Sequence, residues 1–167
     1  MVARKSNLLP ETEAAFRSLI RTVGLLKRVM EPYFARFGVS GSQWGVLRTL
    51  HRAEREGLTS VRLTDLASRL LIRPPSVTGV IDRLQRMGLV ARTAADDDLR
   101  VKHVTLTAQG RQIVARVLEH HAARINAVMA GLQSSEQGDL HRLLEKTVSH
   151  LETLAVQEET QTADADE

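Results

Sequence analysis

The 167-residue chain contains no cysteine. That excludes a disulfide framework, an all-cysteine zinc site and a thiol redox sensor, and it fits a reducing cytoplasm. Aromatic residues are scarce, one Trp, one Tyr and three Phe, so the core has to be built from Leu, Val, Ile and Ala. No apolar run approaches the roughly 18 residues of a membrane span, and the opening MVARKSNLLPETEAAF has no apolar stretch behind its basic residues, so no signal peptide is expected. A cysteine nucleophile, a glycine-rich phosphate loop and an HExxH motif are also lacking. No pair of carboxylates falls by spacing into an evident apolar cleft, so the expectation is a protein that is not an enzyme.

What is present is 43% apolar residues, in a chain of a length usual for one folded unit. The formal net charge of +3 hides an asymmetry. The last twelve residues hold five acids (Glu158, Glu159, Asp164, Asp166 and Glu167) and no Lys or Arg, which leaves residues 1–155 with a net charge of +8. A basic body with an acidic tail suits a polyanion binder, although a solvated basic surface would look the same. The tail, 156–167, is polar and is expected to be disordered. Residues 1–10 are expected to be a flexible N-terminus.

Hydrophobic periodicity orders the rest. Glu11 to Phe37 reads as one long helix with an apolar stripe through Phe16, Ile20, Val23 and Met30, which Pro32 should kink or split and Gly38 should stop. Ser40 and Gln43 form a capping box for a second helix through Trp44, Leu47 and Leu50. The charged stretch 52–62 reads as a loop. Thr64 is the expected cap of a short third helix with Leu66, Ala67 and Leu70 inward. After a turn at 71–73, Pro74-Pro75 opens a fourth helix to about Met87, with Val77, Val80, Ile81 and Leu84 inward and Gly88 ending it. Residues 89–93 and 101–106 are β-prone and read as a hairpin. Thr107 caps a long fifth helix, and Ser134 to Gln137 reads as a capping box for the last one, which carries Leu140, Leu143, Leu144, Val148, Leu151 and Leu154.

Two short helices joined by a three-residue turn are a helix-turn-helix candidate, and the hairpin that follows strengthens it. On the fourth helix Ser76, Thr78, Gly79, Arg83 and Arg86 fall outside the apolar stripe. Small hydrogen-bonding groups near a helix start suit contact with base edges, and Gly79 would let the backbone approach DNA closely. Arg73 in the turn and Arg92, Arg100 and Lys102 in the hairpin add positive charge. These nine residues are the candidate DNA contacts. A solvated face, or an internal salt bridge for Arg83, would satisfy the same pattern.

The run Asp98-Leu-Arg100-Val-Lys-His-Val-Thr-Leu106-Thr107-Ala-Gln-Gly110 resembles the wing signature of MarR-type regulators: D-x-R, a strand, then L-T-x-x-G opening a helix. PPSVTGVIDRLQRMGLVAR, from Pro74 to Arg92, is similar to that family's recognition helix and first wing strand, and VSGSQWGVLRTL, from Val39 to Leu50, to its second helix. The resemblance extends over residues 12–155. It implies a mainly α fold with a small β wing: a winged helix-turn-helix lobe at 39–107 and a helical dimerisation region at 11–38 and 108–155. It implies a cytoplasmic bacterial homodimer that binds a pseudo-palindromic operator in double-stranded DNA as a repressor, with no cofactor. Arg100 matches the wing-tip arginine that enters the minor groove, where narrow A·T-rich DNA concentrates negative potential. Asp98 would orient it.

Many relatives leave DNA when a small aromatic or phenolic acid binds. Trp44 and Arg21 are candidate ligand-binding residues, one apolar wall and one cation, although Trp44 could equally be core and Arg21 a surface charge. The alternatives are a zinc-responsive regulator of the same fold or a small helical enzyme. His120 and His121 are the only clustered histidines, and adjacent helical residues point about 100° apart, so no metal site is expected.

Overall fold

The computed structural model describes residues 10–70, 74–94 and 102–165, with the side chains of 74, 75, 94, 102 and 159–165 outside the description. The described residues form six helices and three short strands in the order α1 (Pro10–Ala35), α2 (Gly41–Arg55), β1 (Val61–Arg62), α3 (Leu63–Leu70), α4 (Pro74–Arg86), β2 (Val90–Ala94), β3 (Lys102–Leu106), α5 (Ala108–Met129) and α6 (Ser134–Ala165). The described chain divides into two units, one up to His121 and one from Ala122 onward.

In the first unit, α1 starts with Pro10 and carries Glu11 and Glu13 in its first turn, where a missing N–H is harmless and negative charge meets the positive end of the helix dipole. Of the kink or split expected at Pro32, the split does not occur, and α1 continues to Ala35 through the proline. One backbone hydrogen bond is lost there, close to the helix end. The next two residues, Tyr33 and Phe34, are buried in the core and hold the last turn in place. Gly38, at φ +76°, takes the chain out of the helix in the left-handed conformation that glycine allows. The α2 capping box is present: the Ser40 Oγ accepts from the Gln43 backbone N–H, and the Gln43 Oε1 accepts from the Ser40 N–H at 2.7 Å.

The segment expected to be a loop from 52 to 62 is helix as far as Arg55, and its last two residues form β1. A two-residue strand has no periodicity of its own. It exists because Val61 pairs with Val104 and Arg62 with His103. The sheet order is β1-β3-β2, all antiparallel, with Val90 opposite Leu106 and Arg92 opposite Val104. Thr64 is not the cap of α3, which already begins at Leu63. The turn expected at 71–73 lies outside the described residues. α4 ends at Arg86, and Gly88 follows at φ +71°.

The core of this unit draws on every element. Leu47 and Leu50 of α2, Leu66 of α3, Ile81 and Leu84 of α4, Val104 of β3, and Val114 and Val117 of α5 are all essentially without solvent contact. The end of α1 and the start of α5 therefore pack in the same core as the helix-turn-helix. Tyr33 joins them directly, its hydroxyl donating to the Val117 carbonyl at 3.0 Å.

The second unit is α6 with the end of α5. The cap of α6 is one residue earlier than expected: Gln133 precedes the first helical residue, and its N–H donates to the Glu136 carboxylate at 2.7 Å. Glutamate accepts here because an ionised carboxylate at the third helical position meets free N–H groups. Gln137 turns back and donates to the carbonyls of Met129, the last residue of α5, and of Leu132 beyond it. The acidic stretch expected to be disordered instead continues α6 as far as Ala165, carried by good helix formers such as Glu158 and Gln157.

Candidate nucleic-acid interface

α4 separates its residues cleanly. Val77, Val80, Ile81 and Leu84 are buried. Ser76, Gly79, Arg83 and Arg86 recur at steps of three and four, which places them on one face of the helix. Ser76, Arg83 and Arg86 are exposed, and Thr78 and Gly79 are half-buried. Among the described residues, a Cβ at Gly79 would meet no atom within 4 Å. The fold itself has no need of glycine there, and the helix is weaker for it by about 1 kcal/mol relative to alanine.

The expected contacts do not all stand free. Arg83 makes no ion pair among the described residues, and the Arg86 Nε donates to the Asp82 backbone carbonyl at 3.3 Å. Arg92 is different. Its side chain is 22% exposed and lies against α4, 2.6 Å from the Asp82 carboxylate and 3.3 Å from Gln85 Oε1. Arg92 is thus an internal tie between β2 and α4, not a free cation on the hairpin. The pairing spans ten residues and two elements, so no local pattern announces it. Lys102 opens β3. Arg73, Asp98 and Arg100 lie outside the described residues.

Two further residues of the motif, Thr107 and Gly110, join the end of the α4 turn to the start of α5. The Thr107 N–H donates to the Leu89 carbonyl at 3.1 Å. Its hydroxyl donates to the Gly88 carbonyl at 2.6 Å and accepts from the Gly110 N–H at 3.0 Å. A Cβ built on Gly110 would overlap the Leu89 carbonyl oxygen. The L-T-x-x-G spacing is therefore a joint: Thr caps α5 while closing the turn after α4, and Gly admits the Leu89 backbone just before β2. Arg111 adds a two-pronged pairing to Glu54 of α2 at 2.7–3.1 Å. That hydrogen bonding and the negative charge of Glu54 raise the Arg111 pKa.

Trp44 is buried at 6% exposure, stacked on Phe34 at 5.7 Å and edge-on to His121 at 5.3 Å. Arg21 is exposed on α1, and thirteen residues of helix, roughly 20 Å, separate it from Phe34. Within one chain the two candidate ligand residues are not brought together. His120 stacks on Phe37, whereas His121 stacks on Tyr33 and lies tilted against Phe34. The adjacent histidines face different partners, as a 100° step requires. Burial, and then the charge of Arg48, lower the His121 pKa. Among the described residues no three His, Cys, Asp or Glu could together hold a metal ion, and no helix is long and apolar enough to cross a membrane.

A helix-turn-helix whose second helix runs directly into an antiparallel hairpin, with β1 completing a three-stranded sheet, is a winged helix-turn-helix, the architecture of DNA-binding transcriptional regulators rather than enzymes. The comparisons with known proteins agree. The profile of the MarR family matches residues 37–100. The transcriptional repressor YetL of Bacillus subtilis is 31% identical over 129 residues, covering 77% of this chain and 75% of that protein. The homoprotocatechuate degradative operon repressor of Escherichia coli is 28% identical, covering 71% and 76%. The fold matches Sco3205, a MarR family regulator of Streptomyces coelicolor solved in complex with DNA, with a TM-score of 0.77 at 24% identity over 90% of this chain and 93% of that one. The chain belongs to the MarR family of transcriptional regulators.

Proposed function

We infer that the protein is a homodimeric repressor that binds a pseudo-palindromic operator in the bacterial cytoplasm and is released by a small aromatic or phenolic acid. The observation that carries the DNA reading is the α4 face. Ser76, Gly79, Arg83 and Arg86 line it from end to end, opposite a fully buried stripe. It offers small groups at the helix start, where base edges are read, and guanidinium groups toward its end for phosphates. Gly79, unneeded by the chain's own packing, suits close approach of a duplex. Thr78, Arg73 and Lys102 complete the contacting set, with Arg100 in the minor groove and Asp98 orienting it.

The dimer rests on apolar surface. Phe16, Ile20 and Val23 of α1, and Leu143, Leu144 and Leu151 of α6, are 39–65% exposed. Exposed stripes of this size mark association surfaces. In this reading residues 11–38 and 108–155 cover one another in a second copy, and 39–107 carry DNA recognition. The relative named as repressor of an operon that degrades homoprotocatechuate, a phenolic acid, supports both repression and the ligand class. Because Trp44 is packed in the core, a ligand would have to meet its edge rather than its face.

The test is operator selection from a random duplex pool, followed by titration at several salt concentrations. The expected result is a two-fold symmetric site with half-sites about one helical turn or a multiple apart, and affinity falling steeply with salt as counterions leave. Arg100→Ala should weaken binding by about 1–3 kcal/mol, most where the flanks are A·T-rich. Asp98→Ala should also weaken it. A tighter complex after Asp98→Ala would show the acid to be merely repulsive.

A further inference from the structure

We propose that Asp82 and Arg92 form a latch that sets the wing against the recognition helix, and that Arg92 acts on DNA through this latch and not by touching a phosphate. The proposal rests on the reading of α4 and the hairpin as the DNA-binding surface.

The geometry comes from two elements. Asp82 and Gln85 are one turn apart on α4, so both side chains fall on the same flank of that helix. Arg92 is two residues after the buried Val90, and alternation along β2 turns it to the same side of the sheet as Val90, toward α4. Its guanidinium meets the Asp82 carboxylate at 2.6 Å and Gln85 Oε1 at 3.3 Å, while its Nε is buried with no partner among the described residues. At 22% exposure it is the more enclosed member of the pair, Asp82 being 47% exposed. A planar guanidinium held by two partners fixes direction as well as distance.

The charges point the same way. Asp82 stands beside the cationic face of α4, where a bare carboxylate would repel phosphate. Paired with Arg92 it contributes no net charge, so neither residue adds to the attraction for DNA. What the pair supplies is position. β2 is held to β3 through the register Arg92 to Val104 and Thr93 to His103. Fixing Arg92 on α4 therefore fixes the direction in which the whole hairpin leaves the helix. Arg92 is a positioning residue.

A double-mutant cycle decides the matter, read on duplex DNA selected from a random pool by the wild-type protein, with A·T-rich and G·C-rich flanks. Arg92→Ala should weaken binding roughly three- to tenfold, the scale of a partly exposed ion pair. Asp82→Ala should weaken it by a similar factor although it removes a negative charge. The double variant should be no worse than either single one. The salt slope should stay at the wild-type value, and the preference between A·T and G·C flanks should shrink in all three variants. Loss of stability alone would not move that preference. Amide exchange in β2 and β3 should quicken without DNA present.

If Asp82→Ala tightens binding, or Arg92→Ala flattens the salt slope by the roughly 0.9 of one phosphate contact, Arg92 touches DNA and the latch is wrong. Additive losses would also overturn it. If the wild-type protein selects no duplex, the DNA reading itself has failed, and unchanged amide exchange in the variants would then refute the latch independently.

Discussion

Leu47 in α2 and Leu144 in α6 each lie on an apolar stripe with steps of three and four. Leu47 is fully buried, whereas Leu144 is 39% exposed. The contrast holds for whole regions. In α2 to β3 the stripes of successive elements close on one another and on the ends of α1 and α5. Along α6, Leu140, Leu143, Leu144, Leu151 and Leu154 all remain exposed. Equal hydrophobicity thus has two destinations. The α2 stripe meets partners within its own unit and becomes core, whereas the α6 stripe is exposed, the kind of apolar surface on which association is expected.

The largest expected effects test that contrast directly. Leu47→Ala should destabilise the protein by about 2–5 kcal/mol, independently of concentration, in a urea melt. Leu144→Lys keeps a good helix former and should spare the fold of the first unit while shifting sedimentation toward monomer. Its melting temperature should then depend on protein concentration. A Leu144→Lys protein that sediments like wild type would remove the case for a second copy on α6.

Gly110→Ala should cost about 1–3 kcal/mol or more, since the new methyl group overlaps a backbone oxygen and not a yielding side chain. Gly79→Ala should do the opposite, raising stability by about 0.5–1 kcal/mol because its Cβ meets nothing among the described residues. It should nonetheless weaken DNA binding. Both are helical glycines, and only the surroundings separate them. Were Gly79→Ala to bind DNA as well as wild type, close backbone approach at that turn would be excluded.

The smallest effect concerns His121. Burial and Arg48 lower its pKa in the folded state, so below the ordinary histidine value the unfolded chain binds the extra proton. The His121 contribution is complete above that value, near pH 6.5. It declines as the pH falls through the window down to the folded pKa and then levels off. His121→Phe should flatten the stability profile in that window, measured by denaturation at stepped pH. An unchanged profile would mean that His121 is not the titrating group.

The order of helices, the helix-turn-helix, the hairpin and the capping box at Ser40 could all be read from sequence, because each depends on contacts within a few residues. Periodicity reports which face of an element is apolar. Turn residues such as Gly38 and Gly88 act on their immediate neighbours, and Thr107 caps α5 through Gly110, three residues on. Within the candidate interface, the α4 face of Ser76, Gly79, Arg83 and Arg86 could be read for the same reason.

What tertiary structure alone decided involves residues far apart in sequence. β1 exists only as the partner of β3. Pro32 is carried through α1 because the aromatic residues after it are anchored in a core assembled from other elements. By its type Arg92 is one more cation for DNA, and only the Asp82 carboxylate beside it makes it a tie. Trp44 is buried by Phe34 and His121, and roughly 20 Å of helix keeps Arg21 away from them. A residue's type sets which interactions are open to it, and its neighbourhood decides which one is made. For these positions the neighbourhood comes from other parts of the chain, and local pattern carries no record of it.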